Sequence, residues 1–152
     1  MSRLDKLITV KAVMICLFAL MTGSRVAGQQ NTEVILMDFV KIKEGRIKEA
    51  LYFYENNWKA YRDLALKKKV IKSYEIVRAE PDSLNNFDLI LITTYKDSVQ
   101  FTKSEENFRP ILAALRPNGP ALLNGLRPDD FRINVFFKKT RTLFASPKKK
   151  SG

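Results

Sequence analysis

The chain has 152 residues, and 27 lysines and arginines outnumber 16 aspartates and glutamates to give a formal net charge of +11 at pH 7. This length suits one domain with a sizeable core, and an apolar fraction of 45% argues against an intrinsically disordered chain. There is no histidine and one cysteine, Cys16. These counts exclude Ser-His and Cys-His catalytic pairs and the usual zinc ligand sets, so we expect neither a metal nor a cofactor.

Residues 1–28 are predicted to be a cleavable signal peptide, which implies an exported protein, periplasmic or secreted. An unbroken apolar run, residues 12–21, is shorter than the roughly 20 residues of a membrane-spanning helix. We expect cleavage after Gly28, with Ala27 as a second position and an uncleaved anchor as the alternative. Cys16 would leave with the signal. The basic residues before the apolar run are Arg3, Lys6 and Lys11.

The first half of the mature chain is predicted to form a strand, a helix and a hairpin. Residues 34–43 are almost continuously apolar, which favours a buried strand. Residues 46–69 carry apolar side chains at helical spacing and end in three lysines, which suit a helix C-terminus. Residues 70–79 and 87–95 favour two strands, and the turn-rich link between them is too short for a helix. They should therefore pair antiparallel.

The second half is predicted to hold a helical region and a final strand. Residues 98–115 favour a helix, which Pro110 should break or kink before Ile111, and Ser104 could begin the second piece. A Pro- and Gly-rich stretch follows, and residues 131–137 favour the last strand. The order β-α-β-β-α-β predicts an α+β, ferredoxin-like domain over residues 29–145, followed by a basic tail, residues 146–152.

The first, third and fourth predicted strands carry apolar side chains at both alternating positions, so both faces of the sheet need cover. In the last strand, alternation places Ile133, Val135 and Phe137 opposite Phe136. A partner sheet, packed face to face in a two-fold homodimer, is the simplest cover. A monomer whose second face is covered by the Pro/Gly-rich stretch or the tail is the alternative.

Three segments resemble the dimeric α/β-barrel superfamily. They are VKIKEG at 40–45, the helix with Trp58-Lys59, and KKVIKSY at 68–74. The resemblance implies a ferredoxin-like fold and dimers formed by packing of sheet on sheet. The superfamily includes cofactor-independent monooxygenases, haem proteins and small exported proteins of unknown role. The haem-binding members imply a histidine that this chain lacks, so their site is not carried over.

Few residues point to chemistry. Tyr54, Trp58 and Tyr61 form an aromatic face on the first helix, either one wall of a ligand site or core packing. Asp38 is a charge within an apolar strand, either a general base or half of a structural ion pair. Arg132 and Asn134 share one face of the last strand and are expected beside Asp38.

The predicted function is an exported homodimer that binds a small hydrophobic molecule or acts structurally. The alternative is a cofactor-independent monooxygenase or isomerase, with Asp38 as its proton-transfer group. Nucleic acid is an unlikely partner for an exported protein. The tail lysines give a possible contact with anionic surfaces, or only a solvated tail. These lysines are Lys148, Lys149 and Lys150.

Overall fold

The computed structural model describes residues 32–80 and 86–144. The predicted signal peptide and basic tail lie outside these residues. Within the described part, no helix has both the length and the apolar character needed to cross a membrane.

The described residues form four strands and a series of helical segments, in the predicted β-α-β-β-α-β order. The strands are β1 (Val34–Ile42), β2 (Ser73–Arg78), β3 (Leu89–Tyr95) and β4 (Arg132–Thr140). The first helical region comprises α1 (Ile47–Phe53), a π-helical turn (Tyr54–Lys59) and α2 (Ala60–Lys67). The second comprises α3 (Ser98–Thr102), α4 (Ser104–Leu115) and the short α5 (Pro128–Phe131).

The strands form one antiparallel sheet in the order β2-β3-β1-β4. Together with the element order, this topology confirms the predicted α+β, ferredoxin-like fold. The hairpin predicted for the second and third strands is also confirmed, because β2 pairs antiparallel with β3. The sheet therefore places β1 in its centre, between β3 and β4.

The core lies between the helices and one face of the sheet. One group of buried side chains joins β1, β3 and the first helical region around Val40, Leu89 and Tyr54. A second group joins the other end of β1 to α4 around Val34 and Ile111. On β1, residues 34, 36, 38, 40 and 42 thus face the helices, and the residues between them face the other side.

Of the break or kink predicted before Ile111, the break is wrong, whereas the start of the second piece at Ser104 is confirmed. The second helical region is interrupted at Lys103, and Pro110 lies inside the continuous helix α4. Proline removes the bond to the carbonyl of residue Glu106. Both Pro110 and Glu106 are exposed, so water can hydrate that carbonyl. Asp97 caps α3, since its carboxylate accepts a hydrogen bond from the Gln100 N–H at 2.7 Å.

The predicted alternation along the last strand is wrong beyond Asn134. Phe39 pairs with Phe136 whereas Val40 pairs with Asn134, so a β-bulge leaves Val135 as the extra residue. Because of this extra residue, Phe136 faces the helix-free side with Phe39, and Phe137 faces the helix side with Asp38. Ile133 and Phe137 therefore lie on opposite faces of the sheet.

Candidate functional site

The π-helical turn decides which side chains of the first helical region face the sheet. A π-helical turn accommodates one more residue than an α-helical turn and is frequent at functional sites. Tyr54 and Trp58 both lie within this turn, and both are buried. In an uninterrupted α-helix, Tyr61 would lie on the same face as Tyr54 and Trp58. The extra residue of the π-helical turn places Arg62 on that face instead. The Arg62 guanidinium carbon lies 3.7 Å from the centre of the Trp58 ring.

Arg62 is a largely buried cation between the helices and the sheet. Its Nε donates a hydrogen bond to the Thr93 hydroxyl on β3 at 3.0 Å, and its Nη1 lies 3.5 Å from the Trp58 carbonyl oxygen. Burial lowers the pKa of Arg62 to about 10, although Tyr95, Asp38 and Tyr74 act in the opposite direction. Desolvation disfavours the charged form, so this cation is held at a cost.

Arg132, at the start of β4, supplies a second guanidinium on the same side of the sheet. Its Nη1 donates to the Tyr54 hydroxyl at 2.8 Å, and its guanidinium carbon lies 4.8 Å from the centre of the Phe53 ring. Burial raises the pKa of Tyr54, and the hydrogen bond from Arg132 partly opposes this shift. The Tyr54 hydroxyl therefore remains the neutral acceptor of this hydrogen bond at neutral pH.

Asp38 lies on the helix-facing side of β1, where its cross-strand neighbours are Leu91 and Phe137. Burial raises the pKa of Asp38, while the positive charges of Arg62 and Arg132 partly offset this shift. The ion pair considered for Asp38 and Arg132 is not formed. Among the described residues, no lysine or arginine nitrogen comes within 4.0 Å of the Asp38 carboxylate.

These groups form what we call the interior polar cluster. Its members are Asp38, Tyr54, Trp58, Arg62, Thr93 and Arg132. It contains two cations and one acid, with aromatic rings against both guanidinium groups. The cluster extends from Thr93 on β3 across β1 to Arg132 on β4, the edge strand. Phe137, the neighbour of Asp38 on the same face, is 70% exposed.

The structure brings together most of the residues singled out in the sequence. Tyr54, Trp58, Asp38 and Arg132 meet in the interior polar cluster. Tyr61 does not join them, because it packs at the second core group beside Ile111 and α4.

Asn134 shares the helix-facing side with Arg132, as alternation predicted, but it is exposed near the β4 edge. Sequence reasoning missed Arg62 and Thr93. Arg62 follows Tyr54 and Trp58 at a spacing of four residues, which is the one signal that could have indicated it. That signal is weak without knowledge of the π-helical turn.

Asn57 fixes the π-helical turn to the Pro/Gly-rich stretch. Its Nδ2 donates to the Phe53 and Ala121 carbonyl oxygens at 3.0 and 2.8 Å. Its Oδ1 accepts from the Ala121 N–H at 2.7 Å and from Arg116 Nε at 3.3 Å. Asn57 is fully buried. All of its hydrogen-bonding capacity is therefore used structurally, and it is not available to a ligand.

Within residues 32–80 and 86–144, no cluster of three acidic, histidine or cysteine side chains could hold a metal ion. The cluster residues offer two guanidinium groups, one carboxylate and two hydroxyls, those of Tyr54 and Thr93. This donor set suits recognition of a polar or anionic group rather than coordination of a cation.

The solved structures similar to this chain include two proteins from Bacteroides species. A conserved protein of unknown function from Bacteroides thetaiotaomicron, described as a possible oxidoreductase, is 13% identical, with a TM-score of 0.42 over 74% of this chain and 99% of that one. A protein of unknown function from Bacteroides fragilis, described as dimeric with a ferredoxin-like fold, is 12% identical, with a TM-score of 0.42 over 76% of this chain and 99% of that one. No family model matches the chain, and no curated protein matches it.

The position of Asp38 predicts an unusual dependence of stability on pH. Its raised pKa means that the folded protein holds the proton more tightly than the unfolded chain does. The free energy of unfolding should fall as the pH rises from the ordinary value of 3.8 through the raised pKa. Asp38→Asn should therefore be more stable than the wild type at pH 7, and this gain should disappear below pH 3.8. Urea unfolding at several pH values measures it.

Asp63→Asn is the matched control, because its expected effect has the opposite sign. Hydrogen bonds from Lys59 and Tyr74 lower the pKa of Asp63. That carboxylate therefore contributes stability above its ordinary pKa, and the contribution is lost as the pH falls through the lowered value. Asp63→Asn should be less stable than the wild type at pH 7. A loss of stability in Asp38→Asn at pH 7 would contradict the assigned environment of Asp38.

Proposed function

We propose that the protein is a small homodimeric binding protein that holds a partly apolar molecule between its helices and its sheet. The interior polar cluster is the observation that carries this proposal. Charged side chains are rarely placed between a helix layer and a sheet without direct partners, and among the described residues the partly buried Asp38 carboxylate forms no ion pair within 4.0 Å.

The surroundings of the cluster suit an apolar ligand with a polar end. The rings of Trp58 and Tyr54 lie on the helix side, and Phe137 lies at the uncovered β4 edge. Binding sites for small molecules combine such apolar walls with a few polar groups that fix orientation. The uncovered edge supplies the access that a ligand needs.

Trp58 is the single tryptophan of the chain, so its fluorescence reports directly on the cluster. We expect naphthaleneacetamide, a neutral apolar probe, to quench this fluorescence in a saturable manner. Phe137→Ser should weaken the binding about tenfold, because it removes apolar contact area at the uncovered edge. Phe144→Ser is the control, because Phe144 is 95% exposed and lies beyond β4. No saturable quenching, or equal effects of both variants, would refute the site.

The helix-free face of the sheet supports the homodimer. On this face, cross-strand partners form rows that run across all four strands. One row is wholly apolar and consists of Val77, Ile90, Phe39 and Phe136. Phe39 and Phe136 stack at 4.3 Å between ring centres. Val77 and Phe136 remain 40% and 39% exposed. An apolar row across a whole sheet needs a covering surface.

The neighbouring row indicates that the covering surface is a second copy. This row consists of Glu75, Ile92, Met37 and Lys138. It therefore has an acid at its β2 end and a base at its β4 end, with two apolar residues between them. A two-fold axis parallel to the strands lays β2 of one protomer over β4 of its partner. Glu75 then meets Lys138 of the partner subunit twice in each dimer.

Charge reversal tests this arrangement. Glu75→Lys and Lys138→Glu should each weaken dimerisation about tenfold, because each replaces two attractive surface pairs by two repulsive ones. The double variant should recover the affinity of the wild type. Sedimentation equilibrium measures the three dissociation constants. A monomeric wild type would refute the dimer, and failure of the double variant to recover would refute this axis.

We also propose that the protein is exported, on the basis of the charge and hydropathy pattern of residues 1–28. Mass spectrometry of the protein recovered outside the cytoplasm should give a chain that begins at Gln29. Phe18→Arg places a charge in the apolar run and should leave the full-length chain inside. An uncleaved wild-type chain would contradict the proposal.

The enzymatic alternative stays a prediction. A general base needs a hydrogen-bonded path for its proton, and no described side chain forms a hydrogen bond with the Asp38 carboxyl. The geometry therefore favours binding over proton transfer.

A further inference from the structure

The charges of the interior polar cluster do not balance. Arg62 and Arg132 bring two positive charges, and both act on the one carboxylate of Asp38. Burial raises the pKa of that carboxylate, which weakens its ability to compensate them. The site therefore has an excess of at least one positive charge, and the burial of Arg62 makes uncompensated charge costly there.

The two guanidinium groups also keep unused hydrogen-bond donors. Each has five N–H groups, and the bonds to Thr93, the Trp58 carbonyl and Tyr54 use only some of them. Among the described residues, Nη2 of Arg62 and both Nε and Nη2 of Arg132 have no protein acceptor. Yet no buried side-chain nitrogen or oxygen in this part of the chain lacks a partner. These three nitrogens must therefore border space that solvent can enter.

Aromatic contacts hold both guanidinium groups in place. Arg62 lies over Trp58 at 3.7 Å, and Arg132 lies 4.8 Å from the Phe53 ring centre and 5.4 Å from that of Tyr54. Stacking of this kind fixes the plane of a guanidinium and leaves its N–H edges free for a planar acceptor. A carboxylate is the planar acceptor that matches such edges.

We propose that the molecule held by the interior polar cluster is a carboxylate with an apolar body, and that Arg62 and Arg132 bind its charged group. A single negative charge matches an excess of one positive charge, whereas a phosphate dianion would exceed it and would be repelled more strongly by Asp38. The aromatic rings and Phe137 serve the apolar body. This inference rests on the proposed binding function and adds the chemical class of the ligand.

The experiment compares two probes of nearly equal shape, naphthaleneacetate and its neutral amide, with the full chain. Calorimetric titration at low salt should show that the carboxylate binds at least about tenfold more tightly than the amide. Arg62→Gln and Arg132→Gln should each weaken binding of the carboxylate about 10- to 100-fold, with little change for the amide. Asp38→Asn should tighten binding of the carboxylate, because it removes a repelling charge.

Arg109→Gln is the matched control, because Arg109 is an exposed arginine of α4 outside the cluster. It should bind both probes as the wild type does. Arg132→Lys provides a second test, since it keeps the charge but lacks the planar fork, and it should recover only part of the affinity. Circular dichroism confirms that each variant is folded.

The outcomes separate the two proposals. Tighter binding of the carboxylate that depends on both arginines supports the inference. Equal binding of carboxylate and amide, unaffected by Arg62→Gln and Arg132→Gln, overturns the inference and leaves the binding function standing. Binding of neither probe overturns the inference together with the proposed function.

Discussion

The one-residue expansion of the first helical region at Tyr54–Lys59 is the constraint on which the candidate site depends. It brings Arg62, rather than Tyr61, into the row of Tyr54 and Trp58, and so places a guanidinium between the helices and the sheet. A π-helical turn is less stable than regular helix and needs support from elsewhere. Asn57 supplies that support through its bonds to Ala121 and Arg116. The irregular stretch after α4 therefore stabilises the π-helical turn, which in turn positions the cluster.

A second one-residue insertion, the bulge at Val135, lets β4 serve two surfaces. Strict alternation would place Phe136 on the same face as Arg132. The bulge separates them, so that Arg132 lies beneath the helices while Phe136 joins Phe39 on the helix-free face. The same edge strand therefore contributes a cation to the interior polar cluster and an aromatic ring to the proposed dimer surface. The two surfaces occupy opposite faces of one sheet and do not compete for area.

The two insertions also explain which features of the fold and of the candidate site could be predicted from the sequence and which could not. Apolar periodicity was sufficient for the order of elements, for the hairpin of β2 and β3 and for the shared face of Arg132 and Asn134, because each depends on neighbouring residues. The π-helical turn and the bulge each add one residue to a regular pattern. Their stability depends on partners far along the chain, such as Asn57 and Ala121, which lie 64 residues apart. No local pattern carries that information, so Arg62 was missed and Tyr61 was misplaced.

The largely buried Arg62 supports the proposal that the cluster is a binding site rather than a structural feature. A cation that only stabilised the fold would be paired with an acid, since burial of an unpaired charge opposes folding. Arg62 instead lies over a ring and against a hydroxyl, with its pKa lowered to about 10 by burial. Burial also disfavours the charged form of Asp38, which lies on the same face of the sheet and whose pKa is raised. An anion bound by Arg62 and Arg132 would offset the cost of burying the Arg62 cation, so binding and stability would rise together.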